Sequence, residues 1–216
     1  MAIKLAVFDL DGTILDTLQD LADAVNHALE VNDLPVRTVG EVRSFIGNGI
    51  HNLIERSVPA NTPEEILENV FKEFKTFYAA NCAVKTCPYD GVTEMLDAIR
   101  SAGIKTAVLS NKADFAVQEL VEKYFPGQMD YAAGEKSGVP KKPAPDSIYI
   151  LLKEMDCRAE DAVYIGDSEV DIQTAQNAGL VHIIVDWGFR DHDALAGAGA
   201  KVLLSDVEAL RQALLG

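Results

Sequence analysis

Two aspartates, Asp9 and Asp11, sit two residues apart in VFDLDGTILDT, Val7–Thr17, after an apolar run and before a glycine. Burying one unpartnered charge is costly, and two like charges cost more. Either a solvated turn follows this run, or something cationic or phosphorylated belongs beside it. Three other stretches place chemistry-bearing groups just beyond, or close to, apolar runs. They are Ser110-Asn111-Lys112 at the end of KTAVLS, Lys141-Lys142 before Pro-Ala-Pro, and Gly166-Asp167-Ser168 at the end of DAVYIG, with Asp171 four residues beyond Asp167. Any one of these acids alone is an ordinary turn former or helix N-cap. The ordered set of acids, hydroxyl and lysine is what suggests a site.

The elements that must position these residues are legible as a pattern. Continuous apolar runs at Ile3–Phe8, Lys105–Ser110, Asp161–Gly166, His182–Asp186 and Lys201–Ser205, with a weaker one at Met129–Ala133, have the character of strands buried on both faces. Helical patterns alternate with them at Val92–Gly103, Ala116–Phe125, Pro145–Met155 and Ser205–Leu215. Strand alternating with helix predicts an α/β fold with a parallel sheet covered on both faces. In such a sheet, ligands lie beyond the carboxyl ends of the strands. Asp9, Asp11, Asp167 and Asp171 would then meet Lys142 and a hydroxyl at one mouth. Four acids there repel one another unless a hard cation joins them, and oxygen-only ligation suggests Mg²⁺.

Between the first and second strands, from Thr17 to about Cys87, no convincing strand appears. Leu18, Leu21, Ala22, Val25, Ala28 and Leu29 share one helical face, and Ile66, Leu67, Val70, Phe71, Phe74, Phe77 and Tyr78 share another. About seventy residues is too long for a plain strand-to-helix connection. The division expected is a core of residues 1–15 and 88–216 with an inserted helical subdomain over 16–87.

Bulk properties narrow the function classes. A formal net charge of −15 on 216 residues argues against non-specific binding of nucleic acid or anionic membranes. An anionic substrate would need a local patch of lysine, arginine or metal. Cys82, Cys87 and Cys157 form no CxxC pair, which suits reduced thiols in a cytoplasmic protein. MAIKLAVFDLDG has the features of neither a signal peptide nor a spanning segment.

The motifs FDLDGT, LSNK, KKPAP and IGDSEVD, in this order, resemble those of the haloacid dehalogenase-like superfamily of phosphohydrolases, over essentially the whole chain. The resemblance implies a Rossmann-like core with a helical cap inserted after the first motif. It implies that Asp9 is a nucleophile that becomes an aspartyl-phosphate, and that Asp11 protonates the leaving alcohol and then activates water. Thr13 and Ser110 would bond phosphate or the catalytic aspartate, and Asn111 would be a neighbouring ligand contact. Backbone N–H groups around Leu10 and Gly12 would cradle phosphate oxygens. Lys142 would balance charge. The metal set implied is Asp9, Asp11 through its main-chain carbonyl, Asp167, and Asp171 directly or through water.

Residue chemistry supports these roles independently. A carboxylate nucleophile splits phosphate hydrolysis into two displacements, but it cannot approach a phosphate until metal and lysine neutralise the charge. Dehalogenases of the superfamily lack an acid at the position of Asp11 and need no metal, so dehalogenation is disfavoured.

Within the insert, VRSFIGNGIHNLIERS, Val42–Ser57, resembles the cap segment of phosphoglycolate phosphatases. Arg43 is its best candidate for holding a substrate carboxylate or second phosphate, with a plain surface charge as the alternative. Gly47-Asn48-Gly49 is either a connection bringing N–H groups near the site or a simple helix–helix turn. His27 and His51 suit packing better than catalysis. The expected substrate is a small phosphorylated metabolite and the expected state a monomer or homodimer. A β-phosphoglucomutase-like mutase and an inorganic pyrophosphatase are the alternatives within the superfamily. Such mutases often carry valine after the DG pair, so Thr13 mildly favours hydrolysis. A phospho-receiver signalling domain is remote, because its acceptor aspartate typically follows the third strand and it has no large helical insert. Hinges are expected near Leu15–Thr17 and Thr86–Pro88.

Overall fold

The computed structural model describes residues 3–47 and 49–216. The chain divides into two units, Met1–Leu15 with Pro88–Gly216, and Asp16–Cys87.

In chain order the first unit opens with β1 (Leu5–Phe8) and leads into the two-residue strand β2 (Leu15–Asp16). The second unit holds four helices: α1 (Leu18–Val31), α2 (Val39–Phe45), α3 (Ile50–Ser57) and α4 (Glu64–Asn81). After β3 (Cys87–Pro88) come α5 (Val92–Ser101), β4 (Lys105–Ala113), α6 (Asp114–Tyr124), β5 (Tyr131–Glu135) and α7 (Asp146–Glu154). Then follow β6 (Ala162–Gly166), α8 (Glu169–Ala178), β7 (Val181–Val185), α9 (His192–Gly197), β8 (Leu203–Leu204) and α10 (Val207–Leu215).

Six strands form one sheet in the order β5-β4-β1-β6-β7-β8. Every adjacent pair in it is parallel, which bears out the α/β class. β1 is central: Leu5 to Phe8 register with Lys105 to Val108 on one side and with Ala162 to Ile165 on the other. Alternate residues explain the continuous apolar runs. Leu5 and Val7 pack with Ile148, Leu151, Ala175 and Ala178 of α7 and α8 on one face. Ala6 and Phe8, pointing the other way, are just as buried.

The structure shifts two of the expected strands and, in the first unit, adds α8 and α9 to the expected helices. β4 runs three residues past Ser110 to Ala113, with a register irregularity between Leu109 and Ala113 where it pairs with β5. β5 itself sits two residues later than the Met129–Ala133 run. α9 was not anticipated, because six residues are too few to show a helical period.

The second unit has its own core, in which Leu21, Val25 and Leu29 of α1 meet Val70, Phe74 and Tyr78 of α4. Its polar fastening is Asp20, only 3% exposed. The Asp20 carboxylate accepts the backbone N–H groups of Val84, Lys85 and Thr86 and the Thr86 hydroxyl at 2.8–3.0 Å. The start of α1 is thereby tied to the stretch that follows α4. Among the described residues, no helix is long and apolar enough to cross a membrane.

Candidate active site

The central strand aims Asp9. Its N–H continues the ladder by donating to the Ile165 carbonyl at 2.8 Å, so the backbone at Asp9 is as fixed as the sheet. The chain then turns tightly. The Leu10 carbonyl accepts N–H groups from Thr13, Ile14 and Leu15 at 3.3, 3.1 and 3.0 Å. Gly12 has φ +84°, and a Cβ there would overlap the Asp167 carboxylate. The glycine therefore serves a left-handed turn and a close approach at once. The Gly12 N–H, expected to face phosphate, donates to the Leu15 carbonyl at 2.9 Å and closes the turn.

Asp167 occupies a slot built for a carboxylate. It follows β6, and Phe189 N–H donates to its Oδ2 at 2.8 Å while the Thr13 hydroxyl donates to its Oδ1 at 3.3 Å. A Cβ on Gly188 would also overlap this carboxylate, so glycines line two sides of it. The Trp187 indole N–H donates to the Thr13 carbonyl at 3.1 Å and fixes the hydroxyl-bearing residue in turn.

Asp171 is the third residue of α8, whose N-cap is Ser168. The two form a capping box: the Ser168 N–H and hydroxyl donate to Asp171 Oδ2 at 3.1 and 2.6 Å. Asp171 Oδ1 accepts from Lys142 Nζ at 2.8 Å and from the Tyr164 hydroxyl at 3.2 Å. Both oxygens of Asp171 thus have protein partners. Lys142 Nζ also donates to the Tyr164 oxygen at 2.9 Å and lies 3.0 Å from Asp9 Oδ1. Asn111, expected at the ligand, turns its amide to the main chain of Lys142. Ser110 is buried beside them, its hydroxyl accepting the Lys112 N–H at 3.3 Å.

The electrostatics are strained without further positive charge. Asp9, Asp167 and Asp171, all buried, present oxygens within 4.8 Å of one another. Each like-charge pair at such a range costs about 4 kcal/mol at an effective dielectric near 20. Lys142 is the ammonium that touches two of them. Burial pushes the Asp9 carboxyl up to about 6, against the pull of Lys142 and with the help of Asp171 and Asp11. Burial, then Asp171 and Asp9, push Asp167 well above the usual carboxylate range. Burial alone would lower the Lys142 ammonium, but Asp171 and Asp9 win and hold it firmly charged. Asp9 Oδ1 is buried and receives no hydrogen bond, its contact with the Lys142 ammonium at 3.0 Å being an ion pair. An all-oxygen donor set, excess negative charge and a buried oxygen that accepts no hydrogen bond fit a hard divalent cation.

Asp11 stands apart from that cluster. Its carboxylate oxygens lie 2.8 and 3.0 Å from Lys112 Nζ. Lys112 was visible in LSNK, but its role was not. The missed Tyr164 also had a signal, since a tyrosine in a strand buried on both faces needs a partner for its hydroxyl. Arg43 lies half-buried on α2. Of the Gly47-Asn48-Gly49 segment, Asn48 lies outside the described residues. His27 stacks on Phe77 at 4.0 Å between ring centres, and His51 lies 3.9 Å from Glu68, both within the second unit.

Comparison with known proteins agrees with this architecture. A phosphoglycolate phosphatase of Agrobacterium fabrum is 32% identical over 216 residues, covering 97% of this chain and 91% of that protein. A phosphoglycolate phosphatase of Vibrio parahaemolyticus is 29% identical, covering 96% of this chain and 94% of that protein. A solved structure from Lactobacillus delbrueckii subsp. bulgaricus, provisionally assigned as a phosphoglycolate phosphatase, superposes with a TM-score of 0.93 at 39% identity and full coverage of both chains. With residues 6–185 matching the family as a whole, this chain belongs to the haloacid dehalogenase-like hydrolases.

Proposed function

We propose that this protein is a Mg²⁺-dependent phosphatase that hydrolyses a small phosphorylated metabolite, phosphoglycolate being the first choice, through a phosphate carried on Asp9. The observation that carries this is the Asp9 carboxylate. It directly follows the central strand, and its buried Oδ1, which accepts no hydrogen bond, lies 3.0 Å from a buried ammonium and close to Asp167. Phosphoglycolate is favoured because relatives over nearly the whole chain carry that activity in their names.

Asp9 and Asp167 would hold the cation, with Asp171 orienting Lys142. The cation would supply neutralising charge at the phosphoryl oxygens and at the nucleophile. Asp9 attacks phosphorus, and the P–O bond to the leaving alcohol breaks as Asp11 delivers a proton to it. Water then attacks the aspartyl-phosphate, giving its proton to Asp11 and releasing inorganic phosphate and the Asp9 carboxylate. Lys142 holds Asp9 in place, because its ammonium is itself fixed by Asp171 and Tyr164. The Asp16–Cys87 unit is proposed as the cap, which would exclude bulk water during transfer.

The test is phosphate release from a panel including phosphoglycolate, pyrophosphate and β-glucose 1-phosphate, comparing wild type with Asp9→Asn. Phosphoglycolate should give the highest kcat/KM, and the variant should keep its fold but lose turnover. Retention of more than about 5% of activity by Asp9→Asn would sink the nucleophile assignment, since covalent catalysis leaves no comparable bypass. Conversion of β-glucose 1-phosphate to an isomer without phosphate release would instead identify a mutase.

A further inference from the structure

We infer that Lys112 is the positioning residue for Asp11, fixing the carboxylate where it can take a proton from the attacking water. The inference rests on the proposed role of Asp11 as proton carrier.

Three observations converge on it. The first is the contact itself. One ammonium spans both oxygens of Asp11, at 2.8 and 3.0 Å, which restrains the carboxylate against rotation about its own axis. The second is burial. The Lys112 side chain is 3% exposed and that of Asp11 20% exposed. A lysine so buried is a specific feature, because the ammonium must be satisfied inside the protein. The third is the backbone beneath it. Lys112 lies in the irregular stretch of β4 between Leu109 and Ala113, where strict alternation of side chains is interrupted. Such bulges re-aim side chains near functional sites. The displaced backbone is held from the flank by β5. A Cβ on Gly134 would overlap the Lys112 carbonyl, and the Gly134 N–H donates to Asp114 Oδ1 at 2.8 Å.

The consequence concerns the second half of the reaction. Asp11 is not among the clustered carboxylates Asp9, Asp167 and Asp171, so its placement is set separately from theirs. A general base must stand within about 2.6–3.2 Å of the proton it accepts. A misplacement of about 1 Å can cost roughly 100-fold. In the step concerned, the water oxygen bonds to phosphorus, the bond from phosphorus to Asp9 breaks, and the water proton passes to Asp11.

The experiment uses p-nitrophenyl phosphate, whose leaving group needs no proton, so that formation of the phosphoenzyme is insulated from Asp11. Lys112→Met should give a burst of p-nitrophenolate near one equivalent per active site. A steady rate reduced about 100-fold should follow. Quenched samples should contain hydroxylamine-labile phosphoprotein. Lys112→Arg should restore part of the steady rate, and Asp11→Asn should show the same burst. Lys112→Met added to Asp11→Asn should cause no further loss, as for two groups serving one step. Four results overturn the inference: a Lys112→Met steady rate within about threefold of wild type; a raised KM at unchanged kcat, which marks a substrate contact; a lowered rate without accumulated phosphoenzyme, which marks a purely structural role; or additive losses in the double variant. Full activity in Asp11→Asn removes the proton-carrier role itself, independently of Lys112.

Discussion

The side-chain amide of Asn111 grips Lys142 by its main chain at both polar groups: Nδ2 donates to the Lys142 carbonyl at 3.0 Å, and Oδ1 accepts the Lys142 N–H at 2.9 Å. A loop that carries the central ammonium is thereby moored to the end of β4. Lys142 cannot drift without breaking both bonds, and its Nζ is consequently fixed against Asp9, Asp171 and Tyr164.

Asn111→Ala should therefore lower kcat by about 10- to 100-fold while changing KM little, because it loosens the group that neutralises the nucleophile rather than a substrate contact. Steady-state kinetics on the best substrate of the panel checks this. An Asn111→Ala variant with a raised KM and normal kcat would return Asn111 to the substrate-binding role expected from the sequence.

Adding Mg²⁺ to chelator-treated protein should restore activity and raise Tm, since a cation that binds only the folded state stabilises it by mass action. Asp167→Asn should remove most of that rise. Differential scanning calorimetry with and without EDTA measures it, and activity that survives EDTA would refute the need for a cation.

The pH dependence of stability has a definite sign. Asp9 is raised from its ordinary value of 3.8 to about 6, chiefly by burial, and burial raises Asp167 as well. Groups raised in this way bind protons more tightly in the folded state, so they favour folding at low pH and lose that contribution as pH rises. The metal-free protein should lose stability relative to Asp9→Asn between pH 4 and pH 6 or above, and Mg²⁺ should cancel the loss. Urea unfolding at stepped pH checks the direction. A wild-type advantage that grows with pH would contradict it.

Asp20 should be a large contributor to the stability of the second unit. Its carboxylate satisfies three backbone N–H groups and one hydroxyl within the second unit. Asp20→Ala leaves buried donors unpaired and should cost about 3–5 kcal/mol. Asp20→Asn should recover part of this. Denaturant titration followed by far-UV circular dichroism provides the measurement, and a loss under about 1 kcal/mol would show that water replaces the carboxylate.

The amino-acid sequence by itself determined the α/β class, because continuous apolar runs and helical stripes are local properties that survive reading in one dimension. The run Ile3–Phe8 predicts the buried strand found as β1, and Leu21, Val25 and Leu29 predict the buried face of α1. The order of the motifs also announced which acids lie at strand ends. Tertiary structure alone decided how those groups are used. Asp171 divides its oxygens between Ser168 and Lys142, Gly12 closes its own turn, Asn111 serves Lys142, and Lys112 meets Asp11 across 101 positions of sequence. The physical reason is that periodicity fixes which face a side chain occupies, whereas a hydrogen bond requires placement to a few tenths of an ångström. That placement depends on parallel register, on an irregularity in one strand and on close approach at Gly12, Gly134 and Gly188, none of which a single stretch of sequence contains.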